Sequence, residues 1–325
     1  MDENWVRIHD KRVQQSQPYR TRVSELVGGE DEIKTILACW MGGEDIFPRS
    51  PLLMGEPGVG KNRIIYECAR ICSKELYIQQ GHEDVTVEDL ACAVRFSDDP
   101  GRKLDYILSP LATALVRGGI CFVDEIGKIR PRALALLVSV LDERRYLDST
   151  LLGERIHAHP GFRFIAATNT ADLEGNLMPD FIKSRMRPVV PVGYPKREEI
   201  NRMVKTRYRR LSQNGDRLLE RFWDLWRKKN GEKPPVPRDS NDIFGFALGL
   251  ADYEKAEKGH PFRLENPGFS ADLEERHLEA AFAAFYPGNE GRKNCCTPGH
   301  SSFLAKKASW SLSPRPTIGT CSLGK

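Results

Sequence analysis

The sequence predicts an α/β fold with a parallel sheet, followed by a smaller, all-helical unit. Up to Pro195, short apolar runs that suit strands alternate with amphipathic runs that suit helices, which is the pattern of strands joined by helical crossovers. One apolar run, Ile120–Val123, has no polar position, as expected for a strand that is covered on both faces. After Pro195 the strand signals stop and only helical periodicity follows.

The first elements lead up to a glycine-rich turn. Residues 1–23 are polar and without periodicity, so we expect an irregular, loosely held arm there. Apolar residues then recur at helical spacing and predict a helix over Ile33–Trp40. The run Leu52–Met54 predicts the first strand of the sheet, and the stripe from Ile64 to Cys72 predicts the helix that follows the turn.

Four more strands of the sheet are predicted by short apolar runs: Glu75–Ile78, Ile120–Val123, Phe162–Ala167 and Val189–Val192. Helices are predicted between them over 88–94, 106–116 and 134–141, and the charged stretch Glu143–His159 predicts a β-hairpin. In the second unit, helical patterns occupy Lys196–Leu211, Arg217–Lys229, Ser240–Glu257 and Asp272–Phe285. We therefore expect an N-terminal arm (1–23), an α/β domain (24–195), a helical domain (196–286) and a flexible tail (287–325).

The composition is that of a soluble globular protein with a sizeable core, because 40% of the 325 residues are hydrophobic and 29% are charged. No apolar run approaches the ~20 residues that span a bilayer, and the start of the chain is too polar for a signal peptide. Cysteines within apolar patterns indicate reduced, buried thiols, and we expect a cytoplasmic protein. Cys68 and Cys72 have no companion ligands, so we interpret them as core residues.

The net charge of +4 is unevenly distributed along the chain. Residues 291–325 contain six basic residues and no acidic one, which leaves residues 1–290 with a net charge of −2. The body of the protein therefore lacks the basic surface that nucleic-acid binding requires, and a nucleic-acid partner is disfavoured. The basic bias belongs to the tail.

The turn after the first strand, Gly55-Glu56-Pro57-Gly58-Val59-Gly60-Lys61-Asn62, fits seven of the eight positions of the phosphate-binding pattern G-x-x-x-x-G-K-[ST]. Its glycines let successive backbone N–H groups face an anion, and the helix that follows adds its positive dipole end. Lys61 supplies a positive charge for the β- and γ-phosphates. Asn62 departs from the pattern, since it stands where a Ser or Thr hydroxyl would hold Mg²⁺. A glycine-rich loop that arose by chance is the alternative, and the flanking strand and helix patterns disfavour it.

Three polar residues follow buried strands, at the sheet edge where ligands bind in α/β folds. Asp124 is placed to hold Mg²⁺ or its waters, and Glu125 to polarise an attacking water. A solvated acidic pair is the alternative. Asn169 follows the fourth strand and can hydrogen-bond the γ-phosphate or the water, although a turn-forming Asn is also consistent with this position.

Two arginines lie farther along the chain. Arg185 precedes the last strand, far in sequence from the glycine-rich turn, and could serve a neighbouring subunit as an arginine finger. A surface salt bridge is the alternative for Arg185, and nearby Arg187 competes for the same role. Arg238 begins a helix of the second unit and could reach the phosphates from that side, or could be solvated.

The motifs, in this order, resemble those of the AAA+ ATPases and, within them, the MoxR-like and dynein-related group. The resemblance covers about residues 24–286 and is carried by four segments: Gly55–Lys61, Phe122–Glu125, Ala167–Asn169 and Ser184–Met186. Further segments fall where the family has its adenine-side segment, an insert near the second helix, the pre-sensor 1 hairpin and sensor 2: Val27–Glu30, Ser97–Gly118, Glu143–His159 and Pro237–Arg238. Two positions depart from the family. Asn62 replaces the usual Ser or Thr, and Met186 replaces the usual Phe.

The resemblance implies a P-loop NTPase αβα sandwich with a five-stranded sheet of order 5-1-4-3-2 and a helical lid. It implies ATP and Mg²⁺ as cofactors, ATP hydrolysis, and a ring that is usually hexameric. It also implies a remodelling or chaperone role, often beside a partner with a von Willebrand factor A domain. By this resemblance, the metal would be bound by Asp124 and Asn62. The catalytic residues would be Glu125, Asn169 and Arg185. The nucleotide would be bound by the turn and by Arg238.

Two functions of different class stay open at this point. An intact Asp124–Glu125 pair favours an ATP-hydrolysing remodeller of protein complexes. Asn62 favours a nucleotide-gated binding module with little or no turnover. A DNA-directed motor is disfavoured by the charge of the body, although the tail could bind polyanions.

Overall fold

A computed structural model of the protein describes residues 4–20, 25–42, 47–174, 178–208, 211, 215–257 and 273–287. The strands are β1 (Trp5–Ile8), β2 (Lys11–Gln14), β3 (Leu52–Met54), β4 (Leu76–Gln80), β5 (Cys92–Phe96), β6 (Leu104–Leu108), β7 (Ile120–Asp124), β8 (Tyr146–Ser149), β9 (Glu154–His157), β10 (Arg163–Thr168) and β11 (Val189–Pro191). The helices are α1 (Glu30–Trp40), α2 (Lys61–Ile71), α3 (Val87–Ala91), α4 (Pro110–Arg117), α5 (Pro131–Leu134), α6 (Val138–Leu141), α7 (Thr170–Glu174), α8 (Asp180–Lys183), α9 (Arg197–Arg207), α10 (Gly215–Asn230), α11 (Pro237–Glu257) and α12 (Glu275–Phe285).

The central sheet consists of five parallel strands in the order β11-β3-β10-β7-β4. Numbered within the sheet, this order is 5-1-4-3-2, so the α/β fold and the strand order expected from the sequence are confirmed. At the centre, Ala166 of β10 lies opposite both Leu52 of β3 and Val123 of β7. Because the strands are parallel, their carboxyl ends meet at one edge, where β7 ends in Asp124 and β10 in Thr168.

Successive strand residues enter two different cores, one on each face of the sheet. Leu53 and Phe122 pack with Ile65 of α2 on one face. Leu52 packs with Leu111 of α4 on the other. All five of these side chains are fully buried, and each contributes about 1.5–3 kcal/mol of transfer free energy. The result is a three-layer αβα sandwich.

The cysteines among the described residues are free thiols. Cys68 packs in the core beside α1, and its burial raises the pKa of the thiol to about 12. Cys72 is partly buried against the same core. Within the described part of the chain no group of three or more His, Cys, Asp or Glu side chains could hold a metal ion. The structure thus places Cys68 in the core, as expected, and Cys72 at its margin.

The N-terminal residues correct the expectation of an irregular arm. β1 and β2 form an antiparallel hairpin, in which Val6 lies opposite Val13. β2 also pairs in parallel with β6 through Val13 and Tyr106, which gives a second sheet of order β1-β2-β6-β5. Val13 is fully buried and Ile8 nearly so, and these two side chains anchor an otherwise polar hairpin on the core.

Two helices expected between the strands of the central sheet are wrong in part. The stretch 88–94 begins in α3 but passes into β5, and the stretch 106–116 begins in β6 before α4 starts. β5 and β6 pair antiparallel over their whole length, and this pairing overrides the local apolar pattern. Ser109 separates β6 from α4, because its hydroxyl accepts a hydrogen bond from Ala112 N (2.9 Å) and caps the helix.

The remaining elements agree with the sequence. β8 and β9 form the hairpin expected within Glu143–His159. Helices α9 to α12 enclose a core of their own around Phe222, whose ring lies 5.4–6.0 Å from the rings of Trp226, Phe244 and Phe282. The all-helical second unit is therefore confirmed, while the domain boundaries stay a proposal. Apart from Pro287, the expected tail lies outside the described residues. None of the described helices has the length and apolar character needed to cross a bilayer.

Candidate active site

A cleft of about 750 Å³ lies where β3, β7 and β10 end, between the sandwich and the start of α11. Its lining includes the turn from Pro57 to Asn62, the pair Asp124–Glu125, Asn169 and Arg238. The segments 25–32 and 192–196 and residues of α9 also line the cleft. The topology thus brings together side chains that are more than 170 positions apart in the sequence.

The glycine-rich turn fits tightly against the helical unit. Gly58 has φ +88°, a backbone conformation that residues with a side chain rarely adopt. A Cβ atom added there would lie 2.9 Å from Val236 Cγ2 and 3.2 Å from Arg238 Cβ. Gly58 therefore permits both the turn and the close approach of α11, which carries Arg238 to the cleft.

Lys61 is the first residue of α2, and its side chain folds back over the turn. Its ammonium donates hydrogen bonds to Gly55 O (2.6 Å), Glu56 O (3.1 Å) and Asn169 Oδ1 (3.1 Å). Burial lowers the pKa of Lys61, and the negative charge of Asp124 acts in the opposite direction. The three present acceptors are neutral oxygens, so an anionic phosphate oxygen is a stronger acceptor that can replace them.

Asn62 and Asp124 are in direct contact. Asn62 Nδ2 donates a hydrogen bond to Asp124 Oδ2 (2.8 Å), and Glu125 N donates to Asp124 Oδ1 (3.0 Å). An amide that faces a carboxylate must present its N–H, because two oxygens would repel each other. Asp124 supplies one carboxylate to this site. One carboxylate together with substrate phosphates and water is a usual set of ligands for Mg²⁺, so the residues present fit this metal.

Glu125 is held in an unusual backbone conformation at the end of β7. Its φ of 54° lies in the left-handed region, which costs a residue with a side chain roughly 1–2 kcal/mol. Its carboxylate accepts hydrogen bonds from Gln80 Nε2 (3.1 Å) and Lys128 Nζ (2.9 Å). The sequence analysis did not identify Gln80 as a site residue. Its position, as a polar residue at the end of an apolar strand, is the signal that could have indicated it. Such strain, where it is retained, is typical of functional sites.

Of the remaining candidate site residues, Asn169 and Arg238 line the cleft and Arg185 does not. Asn169 reaches Lys61, as described above, and Arg238 lines the same cleft. Arg185 does not belong to the described lining. Arg185 Nη1 instead donates to Phe181 O (2.8 Å), and its Nε lies 3.9 Å from Asp142 Oδ2. The structure therefore brings Lys61 together with the other cleft residues and leaves Arg185 outside.

Comparison with known proteins agrees with this geometry. Residues 50–186, which include the turn, Asp124, Glu125 and Asn169, match the family model of the AAA domain of the dynein-related subfamily. This part of the chain is similar to an AAA domain. The resemblance to the MoxR-like and dynein-related AAA+ group that the motifs indicated is thereby confirmed.

Relatives of this AAA domain include proteins of several bacteria. An uncharacterized protein of Staphylococcus saprophyticus is 28% identical over 156 residues, which are 47% of this chain and 59% of the relative. YojN of Bacillus subtilis is 25% identical over 218 residues, 64% of this chain and 68% of YojN. NorQ of Paracoccus denitrificans is 32% identical over 118 residues, 36% of this chain and 43% of NorQ. The chain thus spans about three fifths or less of the length of the Staphylococcus and Paracoccus relatives.

Among solved structures, the chain is similar to a mutant form of RuvB from Thermotoga maritima. The sequence identity is 16% and the TM-score is 0.42. The superposition covers 80% of this chain and 89% of the RuvB chain.

Proposed function

We propose that the protein binds and hydrolyses ATP within a ring of identical subunits and uses the cycle to remodel a protein complex. The observation that carries this proposal is the convergence of a basic phosphate-binding turn, an acidic pair and a polar sensor residue on one cleft. The family of the AAA domain supports it, because its members are generally ATPases. A cytoplasmic location and the domain boundaries at residues 24, 195 and 286 belong to the same proposal.

The residues of the cleft divide the chemistry among them. Lys61 and the backbone N–H groups of the turn bind the β- and γ-phosphates, and Arg238 adds a positive charge from the helical unit. Glu125 accepts the proton of the attacking water, and Asn169 orients that water. Asp124 holds Mg²⁺, which when bound neutralises phosphate charge.

Arg185 has its proposed role in the neighbouring subunit. It lies outside its own cleft, and its side chain is about one-third exposed. A ring, with six subunits as the family-based expectation, would place this guanidinium at the next subunit's cleft, where a finger is worth roughly 10³-fold or more in rate. Arg187 is exposed nearby and is the competing candidate. A client with a von Willebrand factor A domain is the partner that the resemblance favours.

One observation favours a second function, a nucleotide-gated binding module with slow turnover. Asn62 places an N–H, and not a hydroxyl, on Asp124. Asp124 then offers the metal a carboxylate whose two oxygens already accept hydrogen bonds from amides. Metal-dependent steps would be slower, whereas phosphate binding by Lys61 would persist.

One experiment separates these functions. Phosphate release by the purified full chain is measured with ATP and Mg²⁺, while light scattering reports the mass with and without ATP. Turnover together with ATP-dependent assembly supports the remodeller. Tight nucleotide binding without turnover, in an assembled ring, supports the gated module. Absence of nucleotide binding contradicts both. A Lys61→Ala variant is the control for activity that comes from contaminants.

A further inference from the structure

Three cationic side chains meet near the amino ends of the central strands, at the edge opposite the cleft. Arg163 is the first residue of β10, Lys74 stands two positions before β4, and Arg145 immediately precedes β8. A strand of the length of β10, which ends at the cleft, spans roughly 17 Å. We call Lys74, Arg145 and Arg163 the basic cluster, and none of the site roles described above uses it.

Two guanidinium groups of the basic cluster share one acceptor. Arg145 Nη2 donates a hydrogen bond to Phe162 O (2.8 Å), and Arg163 Nη1 donates to the same oxygen (2.9 Å). The two nitrogens therefore lie no more than 5.7 Å apart, which is the sum of these two distances. Arg145 also lies over the rings of Phe47 and Phe162, at 5.3 and 5.4 Å from their centroids. Two like charges are thus held close together.

Lys74 joins this pair from the other side of the segment 160–162. Its ammonium donates to Gly118 O (2.8 Å) and lies 2.9 Å from the position that a Cβ atom would occupy on Gly161. Arg163 Nη1 donates to Pro160 O (2.9 Å), directly before that glycine. The three cations therefore surround one short segment of backbone.

The basic cluster has no carboxylate partner among the residues that the structure describes. The hydrogen bonds of its three cations go to neutral backbone carbonyl oxygens. Burial lowers the pKa of all three groups, and the charge of Arg163 lowers the pKa values of Lys74 and Arg145 further. Because an arginine stays charged at physiological pH, loss of protons cannot relieve the repulsion between the two guanidinium groups. A bound anion would relieve it.

The guanidinium groups retain N–H donors for such an anion. Each guanidinium has five N–H groups in a fixed fork. The described bonds of Arg145 use only Nη2, and those of Arg163 use Nε, which donates to Trp40 O (2.6 Å), and Nη1. Arginine forks match the oxygens of phosphate and carboxylate groups. Three converging positive charges suit a dianion better than a single carboxylate.

We propose that the basic cluster is a second anion site, separate from the nucleotide cleft, which binds a phosphate dianion. Free phosphate and a phosphate group carried by a protein partner have this same chemistry. The site uses neither Lys61 nor the glycine-rich turn, so it stands or falls independently of ATP binding and hydrolysis.

The test is calorimetric titration of the full chain with inorganic phosphate at constant ionic strength. All proteins carry Lys61→Ala, which removes the cation of the other phosphate-binding site. Phosphate is expected to bind, and Arg145→Gln or Lys74→Gln is expected to weaken binding about 10- to 100-fold, the size of one charge-assisted hydrogen bond. Arg155→Gln is the matched control, because it removes the same charge from an arginine that is paired with Asp148 (2.8 Å).

Two further ligands identify the anion. Acetate, with a single charge, is expected to bind more weakly than phosphate, and equal affinity would contradict the assignment of a dianion. A phosphoserine peptide that binds more tightly than free phosphate would support a phosphorylated protein as the source. A peptide that binds no more tightly would support the free ion.

Three other outcomes would overturn the proposal. The first is absence of phosphate binding at millimolar concentration in a protein whose melting curve shows it to be folded. The second is binding that both Arg145→Gln and Lys74→Gln leave unchanged, which would place the ion elsewhere. The third is binding that occurs only after neutralisation of Glu44 and Asp45, which precede Phe47 in the sequence. The chain's own carboxylates would then be the occupant of the site. If Arg145→Gln does not fold, Lys74→Gln alone decides the second outcome.

Discussion

Replacement of Glu125 by Gln tests the assignment of the base most directly. The substitution keeps the shape of the side chain and removes its charge, so that it can no longer accept a proton from water. The phosphate-binding turn is untouched, because Lys61 makes its hydrogen bonds with Gly55, Glu56 and Asn169. We therefore expect Glu125→Gln to bind ATP and to lose turnover.

The expected loss can be compared with the expected effect on folding. Loss of a general base typically lowers a rate ~10²–10⁴-fold, which corresponds to about 2.7–5.4 kcal/mol in the activation barrier. The ion pair between Glu125 and Lys128 is partly exposed, with 34% and 43% of the side chains accessible. Exposed pairs of this kind are worth about 0–1 kcal/mol, so the melting temperature should fall by less than about 4 °C. The activity change is therefore far larger than any change in stability.

The assay is phosphate release at saturating ATP and Mg²⁺, with nucleotide affinity and thermal melting measured on the same preparation. Glu67→Gln is the matched control. Glu67 lies on α2 outside the described lining of the cleft and accepts hydrogen bonds from Arg70 (2.6 and 2.9 Å). The control makes the same chemical change at another ion pair and should retain its rate. Turnover at the parental rate in Glu125→Gln would refute the assignment of Glu125 as the base.

The other predictions concern the ring, the metal and the tail. Mixing inactive Arg185→Ala subunits with inactive Lys61→Ala subunits should restore phosphate release, because a mixed ring can place an intact finger at an intact cleft; no recovery in verified mixed rings would contradict a finger in trans. Asn62→Thr should raise turnover at fixed Mg²⁺, or lower the Mg²⁺ required, with little change in nucleotide affinity; lower turnover would mean that the site is adapted to the amide. Deletion of residues 291–325 should leave melting temperature and ATP binding unchanged, and a large drop in melting temperature would show that this segment packs on the body.

The central sheet could be predicted from the sequence because its strands are short, apolar and separated by helical patterns. The same parallel arrangement made Asp124 and Asn169 identifiable, since polar residues that follow buried strands meet at one edge. The glycine-rich turn fixed the position of Lys61 relative to that edge. These parts of the site follow from local patterns combined with one topological rule.

The second sheet, of order β1-β2-β6-β5, could not be predicted from the sequence, for a physical reason. β1 and β2 are mostly polar, and the partner of Val13 is Tyr106, more than ninety positions away. Nothing local in the first twenty residues indicates such a distant pairing. The boundary between β6 and α4 did carry a signal, because Ser109 followed by Pro110 is a common helix start.

Contacts between side chains of the site likewise could not be predicted from the sequence. That Asn62 is a poor match to the phosphate-binding pattern was evident, but its hydrogen bond to Asp124 depends on the packing of α2 against β7. The role of Gln80 depends on the left-handed backbone at Glu125, which pattern and propensity do not report. Residue types therefore located the site, and only the tertiary structure assigned partners within it.

The two borders of the central sheet have a consequence for the solubility of a chain that is proposed to assemble. An open strand border is a template on which another chain can add, and this is a common route to aggregation. Here β4 forms one border, and the N-terminal segment occupies part of it through the bond from Tyr19 N to Leu76 O. β11 forms the other border with three residues, and Pro191 brings no N–H to it. Both borders are thus partly blocked, which opposes strand addition, so the proposed assembly would form through side-chain surfaces.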